Sequence, residues 1–175
     1  MSNSGRVLIF TGGGKGKTTA ALGMALRAVG HGMKVKIIQF IKSDSSTGEI
    51  AALQMLPGVE IVQTGRGFVS LASNPAFADH RQAAESGLKA AADAIESGEY
   101  SLVALDEVCV AVAKQLLKEC AVIEVVRKAR SNTTVVLTGR GATAALLDLA
   151  DTVTEMGNVK HGMQQGWSAQ EGVEF

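Results

Sequence analysis

One stretch of glycine and lysine residues restricts the possible folds of this chain more than any other feature. The residues TGGGKGKTT (11–19) follow the apolar run RVLIF (6–10) and precede AALGMALRAVG (20–30), which is rich in Ala. This order predicts a β-strand, a tight turn and then a helix that begins at the turn. Glycines allow several backbone N–H groups to point at one anion, and a helix N-terminus attracts negative charge. The stretch therefore predicts a phosphate-binding loop.

The end of this loop matches the pattern G-x-x-x-x-G-K-[ST], in which the lysine (Lys17) neutralises phosphate charge and the hydroxyl (of Thr18) binds Mg²⁺. Thr11 stands where the pattern has its first glycine, and a second lysine, Lys15, lies inside the loop. Lys15 is either a second phosphate contact or a solvated loop residue, and its place within the loop favours the contact. The predicted nucleotide-binding residues of the loop are Gly12, Gly13, Gly14, Lys15, Gly16, Lys17, Thr18 and Thr19.

The composition is that of an ordinary globular protein, with 46% apolar and 19% charged residues. The length of 175 residues predicts a single domain over 1–175. Seventeen Lys and Arg residues balance seventeen Asp and Glu residues, so net charge does not favour nucleic acid or an anionic membrane as a partner. Neither a signal peptide nor a membrane span is recognisable, and the two cysteines form no CxxC motif. We therefore expect a cytoplasmic enzyme or switch.

Short β-branched runs alternate with longer helical patterns along the chain. This alternation predicts a mostly parallel sheet with helices on both faces, a single α/β domain of the P-loop NTPase (RecA-like) kind. The predicted strands cover 6–10, 34–40, 59–64, 101–106, 133–139 and 152–156. The predicted helices cover 18–31, 49–56, 75–97 and 142–150, with further helical stretches from 107 onward and around 122–129. No structure is assigned to the tail at 157–175.

Two adjacent carboxylates, Asp106 and Glu107, end the fourth predicted strand. Because ligands of parallel α/β sheets bind at the carboxyl ends of the strands, we expect both carboxylates beside the phosphate loop, where they would serve Mg²⁺ with Thr18. The alternative is a helix N-terminus that merely favours acidic residues. Arg140 follows the fifth strand at the same rim and is a further predicted binding residue. Arg27, in the first helix, either reaches the nucleotide or lies on the surface.

Together with other blocks in the same order, these motifs make the chain resemble the P-loop class of corrinoid adenosyltransferases, which act on cob(I)alamin or cob(I)yrinic acid diamide. The resemblance covers nearly the whole chain. The blocks that carry it are FTGGGKGKTTAALGMALRA (10–28), QFIK (39–42), LPGVE (56–60), GRGF (65–68), LVALDE (102–107), VVLTGRGA (135–142), LADTVTEM (149–156), VKH (159–161) and AQEGVEF (169–175).

The resemblance implies that the 5′-deoxyadenosyl group of ATP is transferred to the Co(I) centre of a corrinoid and that triphosphate is released, in adenosylcobalamin synthesis or salvage. It implies a Mg²⁺ or Mn²⁺ cofactor, a homodimer and a flavoprotein reductant. The implied catalytic residues are Lys17 and Glu107, and the implied metal ligands are Thr18, Asp106 and Glu107. Arg27 would contact the nucleotide, and Phe68 would border the corrinoid.

Two positions depart from the family pattern: Gly13 replaces a frequent Asn, and Ser70 replaces an aromatic residue that helps to expel the lower ligand of the corrinoid. Two other functions remain open from the residues alone. One is a RecA-like ATPase in which Glu107 orients a water molecule, and the other is a non-catalytic, nucleotide-dependent switch. The neutral charge and the glycine at position 12, where switch ATPases of the ParA/MinD kind carry lysine, both count against the switch.

Overall fold

The fold is described from a computed structural model, which describes residues 5–68 and 75–174. Within these ranges strands and helices alternate as the hydrophobic pattern predicts, and a short 3₁₀-helix, Gly162–Gln165, follows the last strand. The elements, in chain order, are β1 (Arg6–Thr11), α1 (Lys17–Gly30), β2 (Val35–Gln39), α2 (Gly48–Gln54), β3 (Val59–Gln63), α3 (Phe77–Ser97), β4 (Leu102–Asp106), α4 (Val108–Ala113), α5 (Glu119–Val126), β5 (Thr134–Thr138), α6 (Ala144–Leu149) and β6 (Thr152–Glu155).

All the strands of the described ranges form one parallel sheet in the order β3-β2-β4-β5-β1-β6. From β1 the chain crosses to β2 and β3 at one edge, and it then returns through α3 to β4 in the middle of the sheet. Strand β5 lies between β1, which leads into the phosphate loop, and β4, which ends in Asp106. Because the strands are parallel, their carboxyl ends share one edge, the edge where such sheets bind ligands.

Helices cover both faces of this sheet, because alternate residues of a strand point to opposite sides. On one face, Ile37 and Val136 are buried in a core cluster with residues of α1 and α2. On the other face, Ile38 and Leu137 are buried in a larger cluster with residues of α3, α4, α5 and α6. The strands are therefore apolar on both sides, as a doubly covered parallel sheet requires.

Small side chains bring α1 close to the sheet and so fix the position of the phosphate loop. Ala21, Ala25 and Ala28 are buried against the sheet and recur at helical spacing. Helix α1 contacts β1, β2, β4 and β5. The N-terminus of α1 is therefore held at the carboxyl edge of the central strands, with the loop directly before it.

The predicted α/β fold with helices on both faces is confirmed, and the sheet is entirely parallel rather than mostly so. The predicted boundaries coincide with the observed ones or differ from them by up to three residues. The last helix begins at Ala144 rather than 142, because the Thr143 side chain caps it by accepting the N–H of Leu146 at 3.4 Å. No helix in the described ranges combines the length and the apolar character that a membrane crossing needs.

We expect Leu137→Ala in β5 to lower the free energy of unfolding by about 2–5 kcal/mol, because Leu137 is fully buried and its removal leaves a cavity. The matched control is Leu26→Ala on α1, where the leucine is 59% exposed and the change should stay within about 0.5 kcal/mol. Urea unfolding followed by far-UV circular dichroism measures both. Equal losses in the two variants would contradict the placement of β5 in the core.

Candidate functional site

The glycine-rich loop between β1 and α1 turns through two residues of left-handed conformation. Gly12 has φ +96° and Gly16 has φ +117°, values that residues with a side chain rarely adopt. Gly16 is the N-cap of α1, so Lys17 is the first helical residue. The loop thus leads directly into the N-terminus of a helix that is 14 residues long, the geometry that favours a bound anion.

The end of β6 supports the loop from behind. Gly14 N–H donates to the Met156 carbonyl at 2.7 Å. A Cβ atom at Gly12 would lie 2.5 Å from the Met156 carbonyl oxygen, and one at Gly14 would lie 2.5 Å from the Gly157 carbonyl oxygen. These two glycines are therefore required by the close approach of another segment. Gly13 is different, because a Cβ there would meet nothing closer than 3.9 Å. The loop would accommodate an Asn side chain at this position.

A buried carboxylate, that of Asp106, joins the loop helix to its neighbouring strands. Its Oδ1 accepts the Thr18 hydroxyl at 2.8 Å and the Thr138 hydroxyl at 2.7 Å. Its Oδ2 accepts the Gln39 amide at 3.1 Å and lies 3.9 Å from Lys42 Nζ. Asp106 is 1% exposed, so these partners supply the hydrogen bonds that water would give to an exposed carboxylate.

Glu107 is held in an unusual backbone conformation beside this carboxylate. Its φ is +64°, in the left-handed region, and its N–H donates to the Thr138 hydroxyl at 2.8 Å. Burial raises the pKa of Glu107, and the adjacent Asp106 carboxylate raises it further, against the opposing effect of nearby cations such as Lys42 and Lys17. A non-glycine residue in this conformation next to a ligand cleft is typical of functional sites.

Three cationic side chains lie close to these carboxylates. Lys17 Nζ donates to two carbonyls of its own loop, Gly12 O at 2.9 Å and Gly14 O at 2.6 Å. Burial and the Arg140 guanidinium lower the pKa of Lys17, while the two carboxylates act in the opposite direction. Lys42 donates to Glu49 at 2.9 Å. Burial opposes the charge of Lys42, but this hydrogen bond and the nearby carboxylates outweigh it and raise its pKa.

A cavity of about 1000 Å³ opens in front of the loop at the carboxyl edge of the sheet. It collects most of the residues that the sequence singled out, namely Gly14, Lys15, Gly16, Lys17, Thr18, Thr19, Phe68, Glu107 and Arg140. Gly12, Gly13 and Asp106 do not line it. Asp106 lies behind residues that do line the cavity, among them Thr18 and Thr138, whose hydroxyls donate to its Oδ1.

Two predicted residues, Arg27 and Phe68, differ from the others in their exposure and in their position relative to the cavity. Arg27 is exposed in the last turn of α1 and does not line the cavity. It stands ten residues after Lys17, about 15 Å along the helix axis, so the fold does not bring it to the loop. Phe68 borders the cavity and is 96% exposed. Ser70, the predicted neighbour of the corrinoid, lies outside the described residues.

Several site residues were not predicted. They lie at or just after the carboxyl ends of β2 and β5, the two strands that pair with β4 and its carboxylates. Gln39 and Lys42 come at and just after the end of β2, and Thr138 ends β5. The resemblance included the blocks QFIK and VVLTGRGA without assigning a role to these residues. Their position at the carboxyl ends of strands beside β4 is the signal that would have found them. His161, which belongs to the VKH block, also lines the cavity, and the resemblance gave it no role.

The oxygen donors at this site fit a magnesium ion. Mg²⁺ is held in proteins by one or two carboxylates together with hydroxyls, waters and substrate phosphates, rather than by a dedicated cluster of side chains. The Thr18 hydroxyl donates a hydrogen bond to Asp106, so the lone pairs of its oxygen remain available to a cation. Glu107 adds a carboxylate at the cavity wall. No group of three or more His, Cys, Asp or Glu side chains suited to a metal occurs in the described ranges.

Comparisons with known proteins agree on one family. The family model described as "ATP:corrinoid adenosyltransferase BtuR/CobO/CobP" matches residues 3–175. A corrinoid adenosyltransferase of Pseudomonas aeruginosa is 41% identical over 98% of this chain and 84% of its own length. One of Escherichia coli K12 is 39% identical over 98% of this chain and 86% of its own. Among solved structures, the flagellar accessory protein FlaH of Methanocaldococcus jannaschii superposes with a TM-score of 0.59 at 12% identity, over 87% of this chain and 71% of that one, and so shares the fold.

The raised pKa of Glu107 predicts a pH dependence of stability. A carboxyl whose pKa is higher in the folded than in the unfolded chain stabilises the fold below its unfolded pKa, and this contribution is lost as the pH rises through the folded value. We therefore expect the free energy of unfolding of Glu107→Gln to fall less than that of the parent as the pH rises from the ordinary glutamate pKa range upward. Urea unfolding at a series of pH values, expressed as the difference between the two proteins, measures this. A constant difference at every pH would contradict the prediction.

Proposed function

The chain belongs to the ATP:corrinoid adenosyltransferase family, and from this premise we propose how the residues around its phosphate loop carry out the reaction. The protein is an enzyme that adenosylates corrinoids with ATP. Family membership favours this activity over a RecA-like ATPase and over a non-catalytic switch. The roles of individual residues, the metal ion and the assembly are proposals.

The proposed step is a nucleophilic displacement at the ribose. An electron pair of Co(I) attacks C5′ of ATP, so that a Co–C bond forms and the bond between C5′ and the triphosphate oxygen breaks. The electron pair of that bond stays on the departing triphosphate. Such a displacement needs no general base, because no proton is removed from the nucleophile. The site has to hold the triphosphate and stabilise the charge that grows on it.

The observation that carries the proposal is the gathering of Lys15, Lys17, Lys42 and Arg140 around one cavity at the glycine-rich loop. Fixed cations stabilise a leaving anion best when they are partly withdrawn from water and already in place. Lys17 is partly buried and hydrogen-bonded into the loop. We assign phosphate binding to the loop residues Gly12 to Thr19 and to Arg140, and charge stabilisation in the transition state to Lys17.

We propose that Thr18, Asp106 and Glu107 serve a Mg²⁺ ion, or Mn²⁺ in its place. The support is the Thr18 hydroxyl, which donates a hydrogen bond to Asp106 Oδ1 and keeps the lone pairs of its oxygen for a cation. When bound, the ion would neutralise phosphate charge. Glu107 acts from the cavity wall, and Thr138 fixes its backbone.

The exposed ring of Phe68 at the cavity margin supports its assignment to the corrinoid side of the site. A homodimer and a flavoprotein that reduces the corrinoid are proposed from the family resemblance, and a cytoplasmic location is proposed from the composition of the chain. The contact of Arg27 with the nucleotide is proposed from the resemblance alone, because Arg27 does not line the cavity.

The reaction is tested by its products. We expect the purified protein, with Mg-ATP and chemically reduced cob(I)alamin under anaerobic conditions, to give a light-sensitive Co–C product and intact triphosphate in equal amounts. Absorbance spectra before and after illumination measure the first, and anion-exchange chromatography measures the second. ADP and phosphate without a Co–C bond would instead mean a P-loop ATPase.

Lys17→Ala should lower kcat/KM by about 100-fold or more, because one preorganised cation of the site is removed. The control is Lys128→Ala, which removes the same charge from an exposed pair with Glu96 and should leave the rate unchanged. Steady-state formation of the Co–C product measures both variants. An unchanged rate in Lys17→Ala would show that the loop does not hold the leaving group.

The metal assignment predicts a difference between two substitutions of Thr18. Thr18→Ser keeps the hydroxyl that bonds Asp106 and should retain activity, whereas Thr18→Val removes it and should raise the Mg²⁺ concentration needed for half-maximal rate by about tenfold or more. Titrating Mg²⁺ at saturating ATP measures this for each variant, with thermal unfolding as the check on the fold. If valine and serine required the same Mg²⁺ concentration, Thr18 would not be a ligand.

A further inference from the structure

The C-terminal segment, residues 157–174, lies against the phosphate loop. Lys15 Nζ donates to the Val173 carbonyl at 2.6 Å and lies 3.6 Å from Glu174 Oε1. The other oxygen of Glu174 accepts the Gln170 N–H at 2.9 Å and closes the turn that presents Val173. The second lysine of the loop is therefore bonded to this segment.

One side chain of this segment has a different environment from the residues that follow it. His161 is half-buried, whereas residues 163–174 are exposed. His161 lines the same cavity as Lys17, Thr18 and Arg140. Neither the motif analysis nor the roles carried over from the family give this histidine a function.

The hydrogen bonding of His161 fixes which ring nitrogen carries a proton. Nδ1 accepts the Met163 N–H at 3.2 Å, as the cap of the 3₁₀-helix that begins at Gly162. A nitrogen that accepts a backbone N–H is unprotonated, so the proton of the ring is on Nε2. Nε2 is then a donor at the far edge of the ring from the cap.

We propose that His161 is a further substrate-binding residue, whose Nε2–H donates a hydrogen bond to the triphosphate of ATP. This inference rests on the proposed function and adds a residue to its site. The donor belongs to a cavity wall shared with two cations of the phosphate site, Lys17 and Arg140, and a triphosphate offers only acceptor oxygens there. A hydrogen bond to such a charged acceptor is stronger than one to a neutral group. The bond from Lys15 to Val173 holds the segment that carries the histidine.

Two substitutions separate this role from a structural one. Asparagine at position 161 keeps a short acceptor for the Met163 N–H and is itself a favoured cap, but it does not reach as far as Nε2. Glutamine provides an amide donor near the position of Nε2. If His161 only stabilised the segment, His161→Asn would be the milder change; if it binds triphosphate, His161→Gln would be.

The experiment is isothermal titration of the full-length protein with Mg-ATP and, separately, with inorganic Mg-triphosphate. We expect His161→Asn to weaken the binding of both probes by about tenfold or more, and His161→Gln to remain within about threefold of the parent. In the adenosylation assay, KM for ATP should rise in His161→Asn and KM for the corrinoid should not. Thermal unfolding of the three proteins should agree.

Two outcomes would overturn the inference. One is unweakened triphosphate binding in His161→Asn; if ATP binding alone were weakened, the donor would lie against the nucleoside instead. Equal losses in the asparagine and glutamine variants would show that the segment, and not the donor, was disturbed. Because inorganic triphosphate needs no corrinoid, these results are independent of whether a Co–C bond forms, and a failure of the proposed reaction would be seen separately in the product analysis.

Discussion

The buried carboxylate of Asp106 is the interaction on which the rest of this site depends. It ends β4, and its two oxygens receive donors from three directions, Thr18 on α1, Thr138 on β5 and Gln39 on β2. An isolated carboxylate so deeply buried would be strongly unfavourable, and each of these partners offsets part of that penalty. The same partners fix the start of the loop helix relative to the strands on both sides of β4. The requirement to satisfy one buried charge therefore also sets the geometry of the phosphate site.

The charges around the cavity are arranged so that neither sign is fully compensated. Partial burial and the adjacent Asp106 carboxylate raise the pKa of Glu107, while partial burial and the Arg140 guanidinium lower the pKa of Lys17. Each of these side chains would gain from a ligand of opposite charge, a cation for Glu107 and an anion for Lys17. A metal-bound triphosphate supplies both at once. This arrangement suits a reaction in which the whole triphosphate departs, because the charge that grows on it appears where the cations already lie.

Hydrophobic pattern and glycine placement were sufficient to predict the sheet, its parallel strands and the loop, since each depends on local spacing. The strand ends also predicted the position of Asp106 and Glu107 beside the phosphate loop, where the fold has them. Lys42 and Thr138 were missed because their roles depend on which strands become neighbours, and the order β2-β4-β5 is not encoded in any local pattern. The tail was missed for a further reason. Its only regular element is a short 3₁₀-helix in an otherwise exposed part of the described chain, so it has no periodicity to detect.

The two lysines of the loop illustrate how one glycine separates two roles. Gly16 has a left-handed backbone conformation, so the chain changes direction between Lys15 and Lys17. Lys17, after the turn, points back into the loop and bonds to its carbonyls, while Lys15, before the turn, reaches the carbonyl of Val173. A residue with a side chain at position 16 would oppose this change of direction, and the two cations would no longer be directed apart. The second lysine of the loop therefore has two explanations. It adds positive charge near the proposed phosphate site, and it bonds to the C-terminal segment beside the loop, the segment that also carries His161.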